Sequence, residues 1–535
     1  MASARGDAIL DRMYESLTSV AGFDAAAIRW DAEAYPERLW RADPTIWSEG
    51  PIPELADRLG WLDLHRTMRP RVDDLSRLAA GLVDDGILDV VVCGMGGSSL
   101  APDVFSQVLG SRGTHPKVTV LDSTHPAAVD TVAGAIDVDR SAFIISSKSG
   151  TTLETLSFFR YFWDRTGGDG SRFIAVTDPG TPLAELGHER DFREVVLAPA
   201  DVGGRYSALT AFGLVPAAVM GVDLTALLDR AEALAEQAHG SRAGDDPAIA
   251  LGLAWAAHAR NGHDKLTFRT SPALASFPAW LEQLVAESLG KEGRGIIPVA
   301  GEPPLARYGY DRVFVDYVLA GESLDAPPSE FPHARLEVPD GLALGAEMLR
   351  AEIATAVAGE VMAVHPFDQP DVERAKQLAK KAMSGSEAED TVAPVPAGGD
   401  TFRVRLERFL AQIRPGDYLA LQAYLAPDPD IDAAADRFRQ IIAEETECAT
   451  TFGYGPRFLH STGQLHKGGP NTGVFIQVID RPAQDIPVPE TDYTFGQIIA
   501  AQADGDYAAL READRRVLRV DVTDSGIEAL LEALG

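Results

Sequence analysis

The chain has 535 residues, too many for one hydrophobic core, since single cores stop growing at about 250–300 residues and domains cluster near ~150. Two major α/β units with smaller appendages are expected. Hydrophobic residues make up 45% and charged residues 24%, close to soluble globular averages, which excludes a disordered or fibrous chain. The formal charge of −32 excludes nucleic acid as the main partner, because backbone binding depends on Lys and Arg releasing counterions. An anionic ligand would need local donors.

Only two cysteines occur, Cys93 and Cys448, so a disulfide framework is not expected. Residues 1–12 carry Arg5, Asp7, Asp11 and Arg12 and no apolar stretch long enough for a signal peptide or a membrane span. The expectation is a cytoplasmic protein with no membrane partner.

Residues 1–85 alternate helical patterns with Trp- and Pro-containing connections, around Trp30, Trp40, Trp47 and Trp61, and read as a helical N-terminal preface. A regular rhythm then begins: residues 88–93 (LDVVVC), 118–122 (VTVLD), 143–146 (FIIS), 173–177 (FIAVT) and 194–197 (EVVL). Short β-branched runs with little polar alternation, separated by helical stretches, are what a parallel sheet covered on both faces requires. Five of them predict a doubly wound, flavodoxin-like sheet over residues 86–205. A weaker series follows at 266–269, 296–299, 313–316, 419–424 and 474–478. It predicts a second α/β unit, with its first part over 206–383 and its remainder, with a C-terminal extension, over 401–535. Residues 384–400, rich in Gly, Pro, Ser and acids, are expected as a linker or insertion.

After the first strand comes Gly94-Met95-Gly96-Gly97-Ser98-Ser99, opening a helix at Leu100. Glycines here let the backbone approach an anion at a helix N-terminus. The loop is compatible with a dinucleotide site, a sugar-phosphate site or a purely structural turn. Asp122 mimics the ribose-binding carboxylate of a dinucleotide fold, whereas Ser99 stands where that fingerprint wants Gly. The third strand runs into Ser146-Ser147-Lys148-Ser149-Gly150-Thr151-Thr152. A single N-cap would account for one hydroxyl; five, with a Lys and a Gly at the carboxyl edge of a central strand, form a candidate phosphate cradle.

In this loop the chain resembles the sugar isomerase (SIS) family, whose phosphate loop reads Ser-x-Ser-Gly-x-Thr; here that is Ser147, Ser149, Gly150 and Thr152. The segment Gly203-Gly204-Arg205-Tyr206-Ser207 is similar to a signature of the glucose-6-phosphate isomerases. The resemblance implies that Arg205 stabilises an anionic enediolate, a task that suits a permanently charged planar guanidinium. A helix is predicted over 277–289, with Gln283 and Glu287 four apart on one face. Glu287-Ser288-Leu289-Gly290-Lys291 resembles the family's Glu-Ser-x-Gly-Lys, which implies Glu287 as the catalytic base. His365-Pro366-Phe367-Asp368-Gln369-Pro370 resembles Asn-Pro-Phe-Asp-Gln-Pro with His365 in place of Asn, and Lys376 then falls on the family's active-site Lys. Leu459-His460-Ser461-Thr462-Gly463-Gln464 resembles the stretch whose His helps open the sugar ring. In most family members that His precedes the Lys motif, whereas His460 follows Lys376. The changed order leaves open which subunit supplies His460, and His466 is a rival.

The resemblance covers roughly residues 85–480 and is closest in pattern to the isomerase half of transaldolase and isomerase fusion proteins. It implies two SIS-type domains, a homodimer, no cofactor and no metal. Ser98, Ser147, Lys148, Ser149 and Thr152 would hold the phosphate of a sugar-phosphate substrate, and Gly97 and Gln283 would line the substrate site. The reaction implied is interconversion of glucose 6-phosphate and fructose 6-phosphate. Two other readings stay open: a SIS protein that binds sugar phosphate without turnover, which would not need the Glu287 and Arg205 pair, and an NAD-dependent dehydrogenase, which the hydroxyl-rich loop disfavours.

Overall fold

The computed structural model describes residues 16–371 and 393–534; Lys376 and the first part of the expected linker, 384–392, lie outside the described residues. Strands β1 (Asp89–Gly94), β2 (Lys117–Leu121), β3 (Ser141–Ser146), β4 (Phe173–Thr177) and β5 (Glu194–Leu197) form a parallel sheet in the order β2-β1-β3-β4-β5. This is the flavodoxin-like order. Successive strand residues face opposite sides, and both sides are covered here. Val90 and Val92 enter one apolar core, while Val91 and Cys93 enter another with Phe143 and Ile145. A strand buried on both faces has no polar position to spare, hence the uninterrupted apolar runs.

The second strand series divides between two sheets instead of forming one unit around the break. Strands β6 (Lys265–Thr270), β7 (Ile297–Ala300), β8 (Arg312–Leu319) and β9 (His333–Val338) form a parallel sheet in the order β7-β6-β8-β9. Strands β10 (Val395–Pro396), β11 (Tyr418–Tyr424), β12 (Ala449–Tyr454), β13 (Gly473–Ile479) and β14 (Arg516–Asp521) form another, in the order β10-β14-β13-β11-β12. The division follows the apolar surface. The long helix Leu344–Met362 packs its apolar side chains into the core that holds Leu266, Val313 and Leu336. The C-terminal sheet closes a core of its own around Leu419, Leu421, Phe438, Val474 and Ile476.

The preface is helical, including Phe23–Ala32 and Val72–Asp84. Its indoles tie it to the long helix: Trp30 donates to Glu360 at 2.8 Å and Trp47 donates to the Ala356 carbonyl at 2.9 Å. Among the described residues no helix is long and apolar enough to cross a membrane.

Candidate active site

The carboxyl ends of β1 and β3, the segment after β5 and the helix Phe277–Leu289 surround a cavity of about 500 Å³. The cavity brings together Gly97, Ser98, Ser147, Lys148, Ser149, Thr152, Arg205, Gln283, Glu287 and His460, residues drawn from segments more than 300 positions apart.

The first loop is shaped by close approach. Gly96 has φ +57°, and a Cβ there would stand 2.9 Å from both Gln283 Nε2 and the His460 carbonyl oxygen; a Cβ on Gly97 would stand 1.9 Å from the Gly204 carbonyl oxygen. Only glycine lets these three segments meet. Asp122 is not among the residues that line the cavity. Its carboxylate lies 3.4 Å from Arg457.

In the second loop the hydroxyls order one another. Ser147 and Thr152 lie 2.9 Å apart, Ser147 Oγ accepts the Gly150 amide at 3.1 Å, and Ser149 and Thr151 lie 3.0 Å apart. Gly150 takes φ +67°, turning the chain into the helix Leu153–Arg165, whose N-terminus favours an anion. The Lys148 ammonium lines the same cavity but is paired with Asp178. Among the described residues, three cations, Arg58, Lys148 and Arg205, share the lining with three carboxylates, Glu54, Asp178 and Glu287. A phosphate would therefore be recognised by directed hydroxyl and amide donors more than by a net positive field.

At the other end, Arg205 and Glu287 face one another, with Nε to carboxylate oxygen 3.8 Å and both side chains buried. Arg205 Nη2 donates to the carbonyls of Phe367 and Asp368 at 3.2 and 2.9 Å. Nη1 is buried with no hydrogen-bond partner among the described residues, a donor of the kind that a bound oxygen anion satisfies. Lys291 grips the same turn, donating to the His365 and Asp368 carbonyls and to the Asp368 carboxylate. Burial, with the Arg205 charge nearby, pushes the Lys291 amine down to about 7. The His365 ring, which replaces Asn of the family motif, lies 3.0 Å from the Pro53 carbonyl and so ties this turn to the preface. Gln283 donates to Glu287 at 3.2 Å and to the His460 carbonyl at 2.7 Å.

His460 ends the 3₁₀ turn Arg457–His460 after β12, with Nε2 2.9 Å from Glu154 Oε1. His466 does not line the cavity. Its ring is packed against Phe458 and Phe475, its Nδ1 lies 3.1 Å from Gln422 Nε2, and burial lowers its pKa well below the ordinary histidine value. Glu54, Arg58 and Gln369 also line the cavity, and Glu154 and Gln502 support His460. Glu154 could have been suspected from its place directly behind the hydroxyl loop. Gln502 carries no local signal, since it lies 348 residues from its partner. No group of His, Cys, Asp and Glu among the described residues is arranged to hold a metal ion.

The phosphoglucose isomerase family model matches residues 65–295, a span that holds both glycine- and hydroxyl-rich loops, Arg205 and Glu287. A probable glucose-6-phosphate isomerase of Haloarcula marismortui is 30% identical over 351 residues, covering 56% of this chain and 79% of the relative. The glucose-6-phosphate isomerase of Rubrobacter xylanophilus is 27% identical, covering 62% of this chain and 90% of its own length. Among solved structures, a hypothetical protein of Thermus thermophilus superposes with TM-score 0.57 at 25% identity, covering 68% of this chain and 98% of that one. A glucose-6-phosphate isomerase of Chlamydia trachomatis, at 18% identity, shares the fold with TM-score 0.52 over 70% of this chain and 81% of its own. With the loops, the arginine and the glutamate in place on such a sheet, and with relatives of this extent, the chain belongs to the glucose-6-phosphate isomerase family.

Proposed function

We propose that the chain is an aldose–ketose isomerase interconverting glucose 6-phosphate and fructose 6-phosphate. The single observation that carries the reading is the buried pair of Arg205 and Glu287, 3.8 Å apart, in the cavity that also holds the Ser147 and Thr152 hydroxyls. A binding protein needs the hydroxyl cradle; it has no use for a carboxylate held against a guanidinium at the opposite end.

In this reading Ser98, Ser147, Ser149 and Thr152 hold the phosphate, with Lys148 adding charge through its shared position with Asp178. Gly97 and Gln283 shape the space for the sugar. His460, backed by the Glu154 carboxylate, moves the proton that opens the ring. Lys376 keeps only the place in the site that the family resemblance implies. Glu287 then takes the C2 proton and returns it to C1, and Nη1 of Arg205, which has no hydrogen-bond partner among the described residues, meets the negative charge on the enediolate oxygen. Proton removal beside a carbonyl is difficult because that charge develops, so a fixed donor aimed at it lowers the barrier while contributing little to ground-state binding. A coupled assay that follows glucose 6-phosphate formation from fructose 6-phosphate tests the reading; tight sugar-phosphate binding with no turnover would favour the sensor instead.

A further inference from the structure

Among the described residues, every one that lines the cavity lies between positions 54 and 369, except His460. His460 arrives from the C-terminal unit that holds β10–β14, and beside this side chain that unit is fastened to the first sheet unit by Arg457 and Gln502. We propose that the C-terminal unit completes the active site in cis, with Arg457 and Gln502 as the positioning residues that hold His460 over the cavity, so that a single chain carries a whole site.

Three sets of contacts support this. Arg457, at the start of the turn that ends in His460, lies 2.7 Å from Asp103 on the helix Leu100–Val108 and 3.4 Å from Asp122 just beyond β2. Gln502, on the helix Phe495–Glu512, donates to Glu154 Oε1 at 2.6 Å, the same oxygen that His460 approaches, and its own oxygen accepts from Thr124 at 2.8 Å. An amide held at both ends fixes the carboxylate that in turn orients the imidazole. Apolar packing surrounds these bonds. Val488, Phe495 and Ile498 share a core with Phe143, Phe158 and Phe162 of the first sheet unit. Ala286, beside Glu287, shares another with Tyr418, Ala449, Leu465 and Phe475. Side chains buried to this degree on both sides make a permanent interface.

The proposal rests on the isomerase reading, and its test separates the two. The wild-type chain is first assayed for fructose 6-phosphate isomerisation; absence of turnover there contradicts the isomerase reading itself. Glu287→Gln and His460→Ala chains, each with its own tag, are then refolded together and the doubly tagged species is isolated. Completion in cis predicts either no mixed species or a mixed species no more active than its parents. Recovery of about a quarter of wild-type activity in the unfractionated mixture, the statistical share of complete sites in a random two-fold dimer, would overturn it. For the positioning role, Gln502→Leu keeps the side-chain volume while removing both polar ends. Its kcat on closed-ring glucose 6-phosphate should fall about tenfold to a hundredfold. C2 proton exchange on erythrose 4-phosphate, which has no free hydroxyl to close a ring, should stay within about twofold of wild type. Equal losses on both substrates, or no loss on either, would remove Gln502 as a positioning residue. Arg457→Met should show the same split.

Discussion

Arg205 Nε stands 3.8 Å from the Glu287 carboxylate with both side chains buried, while the carbonyls of Phe367 and Asp368 hold the guanidinium from the other side. A carboxylate fixed in this way can accept a proton without first having to be positioned. Glu287→Gln should leave sugar-phosphate binding nearly intact and lower kcat by several orders of magnitude, because the amide cannot accept the C2 proton. More than about a tenth of wild-type kcat in that variant would remove Glu287 as the base.

Ser147 and Thr152 hydrogen-bond one another at 2.9 Å across the turn at Gly150. Replacing both with Ala should raise KM more than it lowers kcat, since phosphate contacts serve ground and transition states alike. The check is steady-state kinetics beside inhibition by a sugar-phosphate analogue. Unchanged inhibition would move the phosphate site elsewhere.

His460 lines the cavity and His466 does not. His460→Ala should impair turnover of closed-ring glucose 6-phosphate while sparing C2 exchange on an open-chain analogue. His466→Gln should act mainly through stability, because its ring fills an aromatic pocket between Phe458 and Phe475. Full activity of His460→Ala beside an inactive, folded His466→Gln would reverse the assignment.

The pH dependence of stability has a defined sign. Burial lowers the His258 pKa from 6.5 to about 4, while Nε2 lies 2.8 Å from the Leu17 carbonyl. Between those values the unfolded chain binds a proton that the folded imidazole does not, so stability falls as pH drops through this window. His466 shifts in the same direction. Denaturant melts from pH 7 to pH 4 should show the decline, and His258→Gln should make it shallower. An unchanged slope in that variant would assign the decline to other groups.

How much of this was readable in advance depended on how local each signal was. The strand cores of β1, β3 and β4 stood out because both their faces are buried, which forbids polar residues. Strands β9, β12 and β14 did not. The edge strand β9 alternates with Arg335 and Glu337, β12 carries two threonines and a glycine, and β14 carries Arg516, paired with Asp417, and Arg519, paired with Asp504. Without those strands, the two later sheets could not be told apart by pattern. In the site, Ser147, Arg205 and Glu287 sit within contiguous motifs that carry their chemistry. Glu54 and Arg58 reach the cavity from the preface with no motif around them. Gln502 reaches Glu154 only because the C-terminal unit folds back onto the first sheet, a long-range contact that leaves no periodicity in the chain.

Proton transfer by Glu287 is tested by incubating the purified chain with fructose 6-phosphate in deuterium oxide and following both sugars by NMR. Transfer through Glu287 should give glucose 6-phosphate carrying deuterium at C2, formed at a rate that Glu287→Gln abolishes. Bound fructose 6-phosphate that is never converted, or conversion at an undiminished rate in the Glu287→Gln chain, would contradict it.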